Sequence, residues 1–133
     1  MSYTIKNLNE VEDSAAKHGY SELQEARFPR EDLAAERTGL AYIVLRPGKK
    51  QPFAHRHDEA EEIYVVLSGS ARVKVGDEIV ELGALDAIRL PGTTPRGMEG
   101  GPEGAEILAF GAPNTDNQDA EMLMDFWPPE EES

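Results

Sequence analysis

Short apolar and β-branched runs, separated by glycine and proline turns, dominate the chain from residue 39 onward. Residues 40–45 end at a Pro-Gly turn, and residues 62–67 form the longest apolar run, which predicts a strand buried on both faces. Ser68-Gly69-Ser70 predicts a hairpin. Further strands are predicted at residues 71–75, 78–82, 87–90 and 107–110. Strands this short favour a β-barrel or sandwich over a helical fold.

The segments around these strands carry weaker patterns. Residues 2–7 predict an added edge strand, and residues 9–18 predict a short helix capped by Asn9. The glycine-rich residues 97–104 predict a flexible loop that serves as a hairpin connection. Near the C-terminus a polar stretch precedes an apolar group, which either folds back on the outside of the barrel or meets a partner subunit. The members of that group are Met122, Leu123, Met124, Phe126 and Trp127.

Length and charge narrow the functional classes. The chain has 133 residues, enough for one domain, and a net charge of −13. A surface of that sign repels phosphate backbones and anionic headgroups, which argues against nucleic-acid and membrane functions. Glu130-Glu131-Glu132 predicts a solvated tail. With no cysteine and no apolar leader at the N-terminus, the sequence predicts a soluble, cytoplasmic protein.

His55, His57 and Glu62 form a candidate metal-binding cluster. Residues two apart on a strand point to the same face, so the two imidazoles can converge while Arg56 points away. Glu61 competes with Glu62, but alternation favours Glu62 if Tyr64 lines the interior. Two imidazoles and a carboxylate suit divalent Fe, Mn, Zn, Ni or Cu, with coordination positions left for water or substrate.

These residues resemble the first motif of the cupin superfamily, to which Gly48, His55, His57, Glu62 and Gly69 correspond. Gly83 and the segment from Pro91 to Arg96 resemble the second motif. The resemblance implies an all-β, single-domain cupin barrel or jelly roll with an internal pocket. It would span residues 38–111, between an N-terminal extension at 1–37 and a C-terminal extension at 112–133.

Two departures from the cupin pattern affect the site. Six residues rather than the usual five separate Gly48 from His55, which is a change of loop length. The position of the family's third histidine holds Arg96, and the remaining histidine, His18, lies far upstream. Arginine stays protonated and cannot donate a lone pair to a metal. A four-ligand cupin site is therefore absent, and at most a three-ligand site is predicted.

Four further residues are candidates for substrate binding. The resemblance puts Arg96 near the pocket, where it either pairs with Glu62, which argues against metal, or awaits an anionic ligand. Arg89 faces either the same interior or the solvent. Phe53 is a candidate aromatic at the pocket rim, and Tyr64 is a candidate wall residue.

Two functional interpretations stay open. The first is a metal-dependent oxygenase, isomerase or lyase that acts on a small, acidic molecule such as a carboxylate. The second is a non-catalytic cupin that binds a small molecule or has a structural role, without a functional metal because of Arg96. A homodimer is expected in either case, because cupins commonly pair through their sheets and the terminal segments offer edges for pairing.

Overall fold

The described part of the chain, residues 2–114 and 118–128 of the computed structural model, forms one curled, eight-stranded antiparallel sheet. The fold is all-β, as the sequence predicts. The strands are β1 (Gln24–Arg27), β2 (Gly39–Leu45), β3 (Ala54–His57), β4 (Glu61–Val75), β5 (Glu78–Gly83), β6 (Ala87–Leu90), β7 (Arg96–Ala112) and β8 (Ala120–Leu123). A 3₁₀ turn (Leu8–Glu10) and two single-turn helices, α1 (Ser14–Lys17) and α2 (Arg30–Leu33), flank β1.

Strands β4 and β7 are the longest, with 15 and 17 residues, and they pair along most of their lengths. The sequence prediction is wrong at two points in this pair. Ser68-Gly69-Ser70 is not a hairpin but an irregularity inside β4, where the register shifts on both sides of Gly69. Residues 97–104 are not a loop but part of β7. Both segments curve the sheet around its interior.

Glycine is required in β4 and β7 for two different reasons. Gly69 has a φ of 74°, which an L side chain rarely adopts. At Gly100 the limit is space, because an added Cβ would lie 2.4 Å from the carbonyl oxygen of Arg46. The glycine-rich sequence of β7 thus reflects the close approach of neighbouring backbone rather than a flexible connection.

The core lies inside the curl and is formed by the alternate, inward-facing residues of the long strands. Tyr64 and Val66 are 2% and 0% exposed, whereas Ile63 and Leu67 are each 39% exposed. The prediction that residues 62–67 are buried on both faces is therefore wrong. Only the inner face of β4 is covered, since no layer of the described residues lies over the outer face of this part of the sheet.

The N-terminal segment departs from its predictions in two respects. Residues 2–7 form no strand, and the edge strand is β1, which pairs with β2. The predicted helix at residues 9–18 is shorter and broken. Its helical part is α1, which is capped not by Asn9 but by Asp13, whose carboxylate accepts from the N–H groups of Ala15 and Ala26.

Residues 118–128, which we name the C-terminal strap, fold back on the barrel. Strand β8 pairs with β3, with His57 opposite Ala120. Beyond it, the Phe126 ring lies 3.7 Å from Lys74 Nζ, and the Trp127 ring lies 5.4 Å from Lys50 Nζ. The first of the two alternatives for this apolar group is correct. The predicted tail at residues 130–132 lies outside the described residues, among which no helix is long and apolar enough to span a membrane.

The tight packing at Gly100 predicts an unequal response of two strand glycines to the same substitution. Gly100→Ala should lower the free energy of unfolding by about 1–3 kcal/mol, because the new methyl group meets a backbone carbonyl that cannot move aside. In Gly39→Ala the nearest atom would be 3.6 Å away, an ordinary contact, so its stability should stay within about 0.5 kcal/mol of the parent. Urea denaturation of both variants measures this difference. Equal stabilities would contradict the packing argument.

Candidate metal centre

The curled sheet forms a cavity of about 510 Å³. Most of its wall is apolar, with Ile43, Met98 and Ala109 among the contributing side chains. His55, His57, Glu62 and Tyr64 form a polar group on the same wall. A mostly apolar cavity of this size with a few convergent polar groups is typical of a small-molecule site.

The structure brings His55, His57 and Glu62 together. The alternation of β3 turns both imidazoles inward, while Arg56 points outward and pairs with Glu121. His55 Nε2 and His57 Nε2 lie 2.9 and 3.4 Å from Glu62 Oε1, and candidate ligand atoms of the three residues lie within 4.8 Å of one another. Glu61 points to the other face, as alternation predicts, and its carboxylate pairs with Arg89.

Glu62 Oε1 is the centre of a dense polar network. Besides the two imidazoles, it accepts a hydrogen bond from Arg96 Nη1 at 2.9 Å and one from the Tyr64 hydroxyl at 3.3 Å. Burial on its own would raise the pKa of Glu62, but the hydrogen bonds from His55 and His57 outweigh it and hold that pKa well below its usual value. Glu62 is therefore an anion at neutral pH, ready to bind a cation.

Arg96 lies behind Glu62 and not on the cavity wall. Its side chain is fully buried, and its second terminal nitrogen, Nη2, donates to the carbonyl of Pro91. Its Nε has no hydrogen-bond partner among the described residues. Of the two alternatives for Arg96, the geometry is that of the ion pair with Glu62.

Asp119 is a site residue that sequence reasoning missed. Its Oδ1 lies 3.0 Å from His57 Nδ1, and its Oδ2 accepts from the backbone N–H groups of Glu59 and Ala60. The hydrogen bond to Glu62 raises the pKa of His57, burial lowers it, and Asp119 raises it again, with a net increase. No local pattern could reveal this contact, because 62 residues separate Asp119 from His57.

The remaining sequence-predicted residues divide between the two faces of the sheet. Phe53 lies on the cavity wall, edge-on to Tyr20 with ring centroids 5.5 Å apart. Tyr64 also lines the cavity, and burial raises its pKa well above the usual value. Arg89 is on the outer face with a side chain that is 60% exposed, in agreement with the solvent-facing alternative. It does not join the site.

Several cavity residues come from the segment before the barrel, where no motif indicated them. His18 and Tyr20 follow α1, and Gln24 opens β1. Gln51 Oε1 accepts from the backbone N–H of Met98, and Gln51 Nε2 donates to Gln24 Oε1, both at 3.1 Å. Only the pairing of β1 with β2 brings Gln24 over the cavity.

The arrangement fits a metal with three protein ligands. Distances of 2.9 and 3.4 Å between donor atoms match those between neighbouring ligands around one ion with bonds of about 2.0–2.2 Å. The hydrogen bond to Asp119 would leave the lone pair of His57 Nε2 directed towards Glu62. His55 would exchange its Nε2 proton for the ion, so that binding releases a proton. The positive charge of Arg96 would repel the ion, and the negative charges of Glu62 and Asp119 would offset this repulsion.

Comparisons with known proteins identify the family to which this fold belongs. The Cupin domain family model matches residues 41–111. Streptomyces PAC13, solved with uridine, is 21% identical with a TM-score of 0.74, and 93% of each chain is covered. A cupin protein from Bacteroides fragilis is 21% identical with a TM-score of 0.68, covering 86% of this chain and 87% of the other.

A variant of oxalate decarboxylase from Bacillus subtilis is 25% identical with a TM-score of 0.68, and the match covers 89% of this chain but 33% of the decarboxylase. A search of curated protein sequences finds no match. The family match extends over more than half of the 133 residues and contains His55, His57 and Glu62. With a sheet that curls around a cavity bearing this cluster, the chain belongs to the cupin family.

Proposed function

We propose that this protein is a small-molecule cupin whose cavity holds one divalent metal ion between His55, His57 and Glu62. The observation that carries the proposal is that candidate ligand atoms of these three side chains, which come from two different strands, lie close together in the cavity wall. Imidazole and carboxylate ligands favour Fe, Mn, Zn, Ni or Cu in the divalent state. An ion with open positions would supply Lewis-acid chemistry, which supports an oxygenase, isomerase or lyase activity.

The cavity supports a substrate of modest size that is partly apolar. A volume of about 510 Å³ falls within the range of sites that bury most of a small organic molecule. A carboxylate on the substrate would be bound by the metal, because Arg96 does not reach the cavity wall. The similar folds of PAC13, solved with uridine, and of oxalate decarboxylase support a small-molecule substrate without deciding its class.

The second candidate is a metal-free cupin that binds a small molecule or has a structural role. It is favoured by one observation, the hydrogen bond of 2.9 Å between Arg96 Nη1 and Glu62 Oε1. In this alternative the guanidinium replaces a metal as the counter-ion of the buried carboxylate. The two candidates differ in what happens when metal is offered to the protein.

We also infer a cytoplasmic location and the absence of nucleic-acid partners. A chain without cysteine suits a reducing compartment. The net charge of −13 would repel a phosphate backbone.

The outer face of the sheet supports a homodimer as part of the proposal. Ile63 on β4 and Phe110 on β7 are register partners, and they are 39% and 36% exposed. Leu67, also 39% exposed, continues this apolar face along β4. Pairing two such faces would remove the apolar surface from water. Residues 2–7, which were expected to offer an edge for pairing, form no strand, and the apolar sheet face is the surface that supports pairing.

His57→Ala tests the metal centre, with His18→Ala as the matched control. His57→Ala should lose stoichiometric binding of Mn(II) or Zn(II), because it removes one of three ligands. His18→Ala should keep it, because that histidine lines the cavity without belonging to the cluster. Each variant is treated with a chelator, the chelator is removed, and calorimetric titration with Mn(II) or Zn(II) then measures the metal affinity. A wild-type protein that binds neither ion would refute the metal proposal and leave the metal-free candidate.

Arg96→His separates the two candidates further. If metal binds at the cluster, this variant should bind Mn(II) or Zn(II) more tightly than wild type, because a cation is replaced by a potential fourth ligand. Without metal it should melt at a lower temperature, because breaking a buried ion pair costs about 3–5 kcal/mol.

The control for Arg96→His is Arg96→Met, which removes the charge without adding a ligand. Its melting temperature should also fall, and its metal affinity should stay below that of Arg96→His. Equal metal affinities of wild type and Arg96→His would show that residue 96 is not next to a bound ion. Calorimetry and melting curves on the same preparations give both quantities.

Phe110→Lys tests the dimer, with Met124→Lys on the C-terminal strap as the control. Light scattering should give twice the chain mass for wild type and for Met124→Lys, and the chain mass for Phe110→Lys. Both substitutions add the same charge, so the difference depends on the face that is changed. Met124 is 67% exposed, so a dimer lost only in Met124→Lys would place the interface on the strap instead.

A further inference from the structure

The C-terminal strap reaches the proposed metal centre although it lies outside the matched domain, residues 41–111. Strand β8 extends the sheet beside β3, with Ala120 in register with His57. Asp119, one residue earlier, thereby comes to lie beside the His57 ring. The contacts of Phe126 with Lys74 and of Trp127 with Lys50 hold the far end of the strap against the barrel. The strap therefore delivers a carboxylate to a ligand histidine.

The two oxygens of Asp119 have separate tasks. Oδ2 accepts from the backbone N–H groups of Glu59 and Ala60, at 2.9 and 3.0 Å, and these groups can only donate. Oδ1 lies 3.0 Å from His57 Nδ1. A carboxylate accepts hydrogen bonds, so His57 must carry its proton on Nδ1. In the neutral ring, Nε2 then presents a lone pair.

The Nε2 atom of His57 faces Glu62 Oε1 at 3.4 Å. A lone pair facing an ionised carboxylate oxygen is unfavourable unless a cation lies between the two atoms or the ring takes up a second proton. The hydrogen bond to Asp119 thus leaves His57 Nε2, the ring nitrogen that faces Glu62, able to bind a cation.

We propose that Asp119 is a positioning residue, which fixes the His57 tautomer so that Nε2 can bind the metal. This inference rests on the proposed metal centre, and it means that the C-terminal strap contributes a positioning residue to that centre. It also assigns a role to a segment that the family match does not include.

Asp119→Asn and Asp119→Ala distinguish positioning from a structural role. In Asp119→Asn the amide oxygen must serve the N–H groups of Glu59 and Ala60, which leaves the amide NH₂ facing His57. His57 Nδ1 would then have to accept, and the proton would move to Nε2, where it blocks the metal. Asp119→Ala imposes no tautomer. A merely structural residue would show the opposite order, with asparagine milder than alanine in every measurement.

The expected result is a loss of affinity for Mn(II) or Zn(II) of about 10–100-fold in Asp119→Asn, at least as large as in Asp119→Ala. The melting temperature should follow the reverse order, because asparagine keeps the two backbone hydrogen bonds. The control is Glu121→Gln on the same C-terminal strap, whose side chain pairs with Arg56 on the outside and is 53% exposed. It should bind metal as wild type does.

Two measurements on full-length protein without metal complete the test. Nitrogen-15 NMR of the histidine rings, at a pH where His57 is neutral, should show its proton on Nδ1 in wild type and on Nε2 in Asp119→Asn. Fluorescence of Trp127, the one tryptophan of the sequence, should be unchanged in both variants if the strap stays docked. If Asp119→Ala does not fold, the comparison of Asp119→Asn with Glu121→Gln decides the question.

The failure of this inference and the failure of the proposed function give different results. Wild-type metal affinity and an unmoved proton in Asp119→Asn would overturn the role of Asp119 while leaving the metal centre intact. The other combination is a wild-type protein that binds no metal, together with a His57 proton that moves from Nδ1 to Nε2 in Asp119→Asn. This result would refute the metal centre but confirm that Asp119 fixes the His57 tautomer.

Discussion

The buried charge of Glu62 is the constraint on which the rest of the site depends. A carboxylate inside a β-barrel is stable only when cations or hydrogen-bond donors surround it. Here His55 and Arg96, opposite each other on β3 and β7, both reach its Oε1 atom. Strand β4 carries Glu62 itself. The three strands are thus linked through one carboxylate oxygen.

The same contact sets the chemistry that is open to the protein. Arg96 stabilises the ionised form of Glu62 and so keeps a metal ligand ready, but its charge repels a metal at close range. A bound ion would compete with the guanidinium for Oε1 or share it. We therefore expect the electrostatics around Glu62 to control metal affinity more strongly than the number of ligands alone. The negative charge of Asp119, which lies beside His57, offsets part of the positive charge of Arg96.

The site is also assembled from outside the barrel motifs. Tyr20 and Gln24, from the segment before β2, line the cavity, and Asp119 approaches His57 from the C-terminal strap. The strap is held by cation–π contacts of Phe126 with Lys74 and of Trp127 with Lys50. Neither contact involves the site itself. Such peripheral segments can differ between members of a fold while the central cluster stays the same, which makes them natural determinants of specificity.

The sequence by itself determined what depends on local periodicity. Strands β2, β5 and β6 follow from short apolar runs bounded by turns, and the inward direction of His55, His57 and Glu62 and the outward direction of Glu61 follow from alternation with a period of two. Tertiary structure decided what depends on distant backbone. Position 100 requires glycine because the backbone of Arg46 passes too close for a side chain, Arg96 pairs with Glu62 across 34 residues, and Asp119 meets His57 across 62 residues. The local sequence does not identify the partners in such contacts, since only the folded sheet brings them together.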